Sequence, residues 1–271
     1  MEILRKCPGW KTALVCAVFS IASGAVTAPC QAQDANADLA KEAQNPVANL
    51  ISLPLQNNTN FNIGPYDRTS NVLNIQPVVP FYGGRLITRT ILPVVWQPDI
   101  SSESGSTTGI GDLNFTAFYA PETEKLTWGV GPILMFPTGG DETGSQKWSA
   151  GPSIVALAMP GPWVVGVLWN NVWSYAGDEE AADINQMLLQ YFINYNFPDF
   201  YLTSAPIITA NWKADDGQQW TVPFGLGIGK IVKLGKLPAN CTAQYYHNVE
   251  APDWGPDWTL RLQVQFLFPK G

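Results

Sequence analysis

From Asn49 to the end of the chain, apolar and other residues alternate with a period of two. That period marks a strand with one apolar face. The last stretch is the clearest. Trp258, Leu260, Leu262, Val264, Phe266 and Phe268 fall on one face, and Thr259, Arg261, Gln263 and Gln265 on the other. Trp220, Val222, Phe224, Leu226 and Ile228 oppose Gln219, Thr221, Pro223, Gly225 and Gly227. Met187, Leu189, Tyr191, Ile193, Tyr195 and Phe197 oppose Gln186, Leu188, Gln190, Phe192 and Asn194. Leu113, Phe115, Ala117 and Tyr119 oppose Asp112, Asn114 and Thr116, while Leu53 and Leu55 oppose Pro54, Gln56, Asn58 and Asn60. The pattern predicts twelve strands, near residues 50–63, 70–81, 84–96, 110–120, 125–137, 147–160, 162–175, 184–197, 200–212, 218–232, 238–250 and 257–268. An even number of runs, each able to cross a bilayer as a tilted strand, fits a closed antiparallel transmembrane β-barrel.

The connections support this reading. Tyr82-Gly83-Gly84, Pro160-Gly161-Pro162 and Pro198-Asp199 are tight, whereas Pro98 to Thr108, Thr138 to Gln146, Ala176 to Asp183 and Glu250 to Pro256 are longer and polar. Short periplasmic turns and longer outer loops give this parity, which a two-sheet sandwich has no reason to show. Pro54, Pro77, Pro93, Pro132, Pro152, Pro206 and Pro223 fall inside the proposed strands. Proline removes a ladder donor. These positions read as bulges or strand ends that bend the wall, or else some strands are shorter and displaced.

Upstream of the alternation, Asp34 to Ala48 is the one good helical candidate. Asp38-Leu39-Ala40-Lys41-Glu42-Ala43-Gln44 favours helix and Pro46 stops it. Residues 33–48 are therefore expected to form a short helical segment, inserted as a plug or lying on the rim, or else a mobile tail. The barrel takes residues 49–271. Before them, Arg5, Lys6 and Lys11 precede an uncharged, mostly apolar run from Ala13 to Ala28. That order is a secretory signal peptide, residues 1–32, with cleavage after Ala32. Cys30 suggests lipidation, but Pro29 before it is wrong for a lipobox. Only Cys241 lies beyond the cut, so an intrachain disulfide is not expected.

Export also changes the charge. Losing Arg5, Lys6, Lys11 and Glu2 takes 15 basic and 22 acidic residues to 12 and 21. An acidic chain argues against a nucleic-acid partner. The expected partners are outer-membrane lipid and lipopolysaccharide, the barrel-assembly machinery and an unidentified small solute.

Leu39-Ala-Lys-Glu-Ala-Gln-Asn-Pro-Val-Ala-Asn-Leu-Ile51, Leu73-Asn-Ile-Gln-Pro77, Leu86-Ile-Thr-Arg-Thr-Ile-Leu-Pro93, Trp128-Gly-Val-Gly-Pro132, Gly229-Lys-Ile231 and the closing Gln263-Val-Gln-Phe-Leu-Phe-Pro-Lys270 carry a resemblance. The chain resembles a bacterial outer-membrane transporter family of the phenol meta-cleavage degradation pathway type. Some members bear an inherited neuromedin U name. The resemblance covers nearly the whole mature chain. It implies a barrel with a loosely assigned transport role, and brings no catalytic or binding residues.

Candidate chemistry is sparse. His247, the single histidine, shares a face with Cys241, Ala243, Tyr245 and Val249, and no serine follows Ser204. That is a poor setting for a nucleophile and base, so an outer-membrane hydrolase is a remote alternative. Too few ligands accompany Cys241 and His247 for a metal site, and no cofactor is expected. Gly225, Gly227 and Gly229 open no helix and read as small inward residues.

The expected lumen is mostly neutral amides. The pore-lining candidates are Gln76, Arg89, Asp112, Asn114, Gln190, Asn194, Gln219, Arg261, Gln263 and Gln265. Amides donate and accept, so the wall could pass a polar solute or knit a closed interior. Arg89 or Arg261 is expected to pair with Asp112 or to line a constriction. The outer loops are rich in Asp and Glu, which disfavours anions at the mouth or bridges divalent ions to lipopolysaccharide. Trp163, Trp169, Trp173, Tyr195, Trp212, Trp220, Trp254 and Trp258 are girdle candidates. The expected function is passive passage of a small neutral solute, aromatic if the family label holds. A structural or surface-interaction barrel with a sealed lumen is the alternative.

Overall fold

A computed structural model describes residues 38–123, 125–235 and 237–268. The expected signal peptide (residues 1–32), residues 33–37 and the tail Pro269-Lys270-Gly271 lie outside the described residues. The strands are β1 (Ile51–Ile63), β2 (Arg68–Ile75), β3 (Val78–Phe81), β4 (Leu86–Pro98), β5 (Ser106–Ile110), β6 (Leu113–Tyr119), β7 (Thr127–Phe136), β8 (Lys147–Ala158), β9 (Trp163–Gly177), β10 (Asn185–Asn196), β11 (Tyr201–Ser204), β12 (Ile207–Asn211), β13 (Trp220–Leu234), β14 (Leu237–Glu250) and β15 (Trp258–Phe268). Three staves of the wall are split in two: β2 with β3, β5 with β6, and β11 with β12. Joined, they leave a closed antiparallel barrel of twelve staves. The barrel closes where β15 pairs with β1, from Ile51 opposite Phe268 to Phe61 opposite Trp258.

The interruptions have local causes. Pro77 and Pro206 sit in two of the breaks, and β13 changes register between Val222 and Pro223. Pro54, Pro93, Pro132 and Pro152 remain inside continuous strands. Pro132 faces Pro152 across β7 and β8. Two opposed prolines cannot exchange N–H bonds, so this pair fits only a non-hydrogen-bonded position of the ladder.

The stretch Pro98 to Thr108, expected as a loop, is corrected. Pro98 closes β4 and Ser106–Ile110 forms β5, with Pro98 paired to Ser106 and Val94 to Ile110. Its Ser, Thr and Gly composition reads as loop, yet the hairpin extends the wall and only residues 99–105 connect it.

One rim carries connections 99–105, 137–146, 178–184, 212–219 and 251–257, together with the tight hairpin 64–67. The other carries the single 3-10 turn Tyr82–Gly84, then 159–162, 197–200 and 235–236, with 120–126 as its longer member. These are called the long-loop and short-turn rims.

The alternation puts apolar side chains outward. Val130, Ile154, Val167, Ile193, Leu202, Phe224, Leu226, Ile228, Leu262 and Val264 are all exposed. So large a band would be a liability in water and suits lipid. Aromatic rings gather toward both rims. Trp163 packs on Tyr195, Tyr195 on Phe197 and Phe197 on Phe200 near the short-turn rim. Phe61 stacks on Trp258, and Trp212 meets Trp220, near the long-loop rim. Trp169 differs from its expected place. It sits at mid-strand, opposite Ile154 and Leu189.

The N-terminal helix ends earlier than expected, at Ala43 rather than near Ala48, and its described part is residues 38–43. The cause is Asn45-Pro46. The Asn45 side chain accepts the Val47 N–H at 2.9 Å, and Ala48 N donates to Asn45 O at 3.2 Å. An Asx turn of this kind competes with helix, and the residue before proline disfavours it. The chain then passes over the Tyr82–Gly84 turn to reach β1. Asn49 Nδ2 donates to Gly83 O at 3.0 Å. A Cβ on Gly84 would lie 2.8 Å from the Asn49 side chain, and φ there is +96°, so this crossing needs glycine.

Candidate functional site

The inward positions of the staves surround a cavity of about 830 Å³. Its floor is the N-terminal segment: Glu42, Ala43, Gln44, Asn45, Pro46, Ala48 and Leu50 line it. This segment is packed rather than draped. Val47 is buried with Ile87, Phe118, Val155, Leu157, Val164, Leu168 and Phe192. Ala48 and Leu50 are buried with Leu267, against Leu39, Ala43 and Ile231. Gln44 Nε2 donates to Asn196 Oδ1 at 2.8 Å. Apolar burial and that amide pair fix the segment at the short-turn end of the lumen.

Above the floor, the wall is of two kinds. On β1, β2, β14 and β15 the inward residues are polar and joined. Arg89 Nη2, from β4, donates to Gln76 Oε1 at 2.6 Å. Gln76 Nε2 donates to Gln56 Oε1 at 3.1 Å, and Gln56 Nε2 to Asn58 Oδ1 at 3.4 Å. Asn58 Oδ1 also accepts Arg261 Nε at 2.8 Å. Arg261 Nη1 reaches Ala205 O at 2.9 Å and Gln244 Oε1 at 3.4 Å. Tyr246 donates its hydroxyl to Gln244 Oε1 at 2.7 Å and accepts Ala205 N–H at 3.0 Å. The break at Ala205-Pro206 thus turns a backbone amide and carbonyl inward, where side chains satisfy them. Nearby, Tyr201 donates to Asn240 Oδ1 at 2.8 Å, and Asn240 Nδ2 to Gln265 Oε1 at 3.2 Å. A Cβ on Gly229 would lie 2.1 Å from Tyr201 Cζ, so glycine lets that ring lie against β13.

On β6 to β10 the inward residues are mixed, with Asn114, Thr116, Ser153, Asn170, Gln190 and Asn194 lining the cavity beside a large apolar set. Phe118, Ile133, Leu168, Val172, Leu188 and Phe192 line the same cavity. Among the described residues Ser149 Oγ is the one buried side-chain polar atom without a partner.

Of the sequence-predicted lining residues, Gln76, Arg89, Asn114, Gln190, Asn194, Gln219, Arg261, Gln263 and Gln265 all border the cavity. Asp112 does not. It stands at the Gly111-Asp112 break and takes Gly139 N–H at 3.1 Å on Oδ1 and Ser145 N–H at 2.7 Å on Oδ2. The expected pairing of Arg89 or Arg261 with Asp112 is therefore corrected. The carboxylate is occupied by loop 137–146 at the rim, and both arginines take amide and carbonyl oxygens instead. The ion pairs among the described residues lie at that rim too: Lys147 with Asp183 at 3.5 Å and Lys213 with Asp183 at 3.7 Å. His247 faces outward and exposed, opposite Phe224 and Trp258.

The sequence reading placed Leu188 and Phe192 on the inward face but missed the apolar lining residues of β7 and β9, Tyr201, Tyr246 and the inward carbonyl of Ala205. Tyr246 was visible in principle, since it alternates with outward Tyr245. The carbonyl was not, because only a break in a ladder exposes it.

The structure is similar to an outer membrane channel from Pseudomonas putida F1, at 20% identity and a TM-score of 0.61, covering 81% of this chain and 94% of that one. Weaker likenesses include the outer membrane phospholipase of Salmonella typhi, with a TM-score of 0.41, 13% identity and coverage of 86% and 96%. No curated protein matches the chain in sequence. Residues 52–265 match the profile of the family described as "Putative MetA-pathway of phenol degradation", and the chain belongs to that family.

Proposed function

We propose that this chain is an outer-membrane channel through which a small amphipathic solute, aromatic in keeping with its family, diffuses without chemical change. The observation that carries the reading is the cavity of about 830 Å³ lined by both polar and apolar side chains. A sealed barrel needs no such volume, and a purely amide-lined pore offers nothing to a ring. The outward apolar belt supports a place in a bilayer. The Pseudomonas putida protein, described as an outer membrane channel, supports the same role. A solute entering from the long-loop rim would meet lining residues Gln218, Gln219 and Pro252 first, then the mixed lining, then the floor.

One observation favours a second reading, a barrel kept closed. The N-terminal segment buries Val47, Ala48 and Leu50 in the short-turn end. Passage then requires room beside that segment or its displacement. Planar-bilayer conductance and liposome swelling with small aromatic solutes separate the two. The channel reading expects ion conductance and swelling by the full chain. Neither conductance nor solute flux from a barrel that migrates as folded would support the closed one.

A further inference from the structure

The cavity carries two guanidinium groups, neither of them in an ion pair among the described residues. Arg89 and Arg261 line it, and Glu42, exposed on the floor, is the acid among its lining residues. Arg89 uses Nη2 alone, so Nη1 and Nε are left open to the cavity among the described residues. Arg261 is committed through Nε and Nη1, leaving Nη2. Every acceptor they use is a neutral amide or peptide oxygen. A guanidinium so placed keeps its full charge in a space of low effective dielectric, where it attracts an anion far more strongly than in water. Its fork of donors matches a carboxylate.

Apolar lining residues supply the other half of a ligand site. Ile91, Met135 and Leu188 border the same cavity, half-buried, and present apolar surface to it, while Phe118, Leu168 and Phe192 are buried in the packing. We propose that the lumen holds a binding site for an aromatic carboxylate, its anionic head on Arg89 or Arg261 and its ring on that apolar surface. This deepens the channel reading by naming a solute class, and replaces the neutral solute expected from the amides alone. The acidic residues of the long-loop rim do not oppose it. They lie on exposed loops, where salt screens their field within roughly 8 Å.

Binding tests this apart from passage. The full mature chain in detergent micelles is titrated by calorimetry with benzoate and with benzyl alcohol, which keeps the ring and loses the charge. Benzoate is expected to bind at least roughly tenfold more tightly, the size of one charged hydrogen bond. Arg89→Gln and Arg261→Gln should each reduce that preference, and the double variant should erase it. Benzoate and benzyl alcohol binding equally, or neither binding, would overturn the proposal. So would an unchanged preference in a double variant with folded-barrel migration. If that variant does not fold, the wild-type preference and its suppression by high chloride decide. A barrel that binds benzoate but passes no current sinks the channel reading alone.

Discussion

The two halves of the lumen wall are built on the same strand geometry and hold together differently. On β1, β2, β14 and β15 the inward side chains are amides and arginines that bond to one another around the wall. On β6 to β10 an apolar cluster of Phe118, Val155, Leu157, Leu168 and Phe192, with Val47 inserted among them, shares the wall with separate amides and hydroxyls such as Asn114, Ser153, Asn170 and Gln190. One half is specified by hydrogen-bond geometry and is sensitive to lost partners. The other is specified by volume and is sensitive to charge and cavities. A barrel lumen need not be uniformly polar. Here the apolar cluster seats Val47 of the terminal segment, while Ala48 and Leu50 pack with Leu267 of β15.

The largest contrast comes from adding the same charge to both halves. Leu157→Asp places a carboxylate among Val47, Phe118 and Leu168 with no partner. It should destabilise the barrel by about 3–5 kcal/mol, the size seen for unpaired buried charge, and reduce heat-modifiable folded protein on a gel. Gln56→Asp, set between Gln76 and Asn58 beside the arginines, should leave the folded band intact. Equal loss from both variants would show that the halves are not distinct.

A smaller effect is expected where the polar half depends on space. Gly229→Val drives its side chain into Tyr201 and breaks the Tyr201–Asn240 hydrogen bond. A loss of about 1–3 kcal/mol in the urea unfolding of the barrel follows from overpacking. Tyr201→Phe, which removes the bond alone, should lose about 1 kcal/mol. A Gly229→Val midpoint as high as that of Tyr201→Phe would mean that the ring has room to move.

The smallest effect lies outside both walls. Asp99 is fully exposed in loop 99–105, and hydrogen bonds from Ser101, then Ser102, hold its carboxyl below the usual carboxylate value. A depressed acid contributes order above its unfolded value and loses it as pH falls through its folded value. Loop 99–105 should therefore keep its protease resistance from neutral pH down past the usual carboxylate range and lose it below. Asp99→Asn should flatten that dependence while leaving barrel stability unchanged. A barrel midpoint that moved with the loop would contradict this separation.

The difference between the halves also explains what was legible in the sequence. Alternation is visible only when the two faces differ in polarity. In β15, Arg261, Gln263 and Gln265 stand between Leu260, Leu262, Val264 and Phe266, so face and register could be read directly. In β8, Ser153-Ile154-Val155-Ala156-Leu157 is apolar on both faces from Ile154 onward, and the period disappears where the lumen is apolar. The strand could be placed there, but its inward residues could not be named. Asp112 failed for a different reason. Its alternation was right, but it lies beside a ladder break, where loop 137–146 folds back to occupy it. The helix limit at Ala43 was overestimated because Asn45-Pro46 acts one turn before the proline itself.

The floor is the part of the account on which passage depends. Deleting residues 34 to 48 while keeping residues 1–33 removes Val47 from the apolar cluster of β6 to β10 and Ala48 from its packing with Leu267, and leaves every stave in place. Single-channel conductance of this variant, measured beside the full chain in the same bilayers, tests the claim that a passable lumen is floored by its own N-terminus. The expected result is a heat-modifiable folded barrel whose open-pore conductance exceeds that of the full chain. A truncated barrel that assembles and conducts no more than the full chain would contradict it.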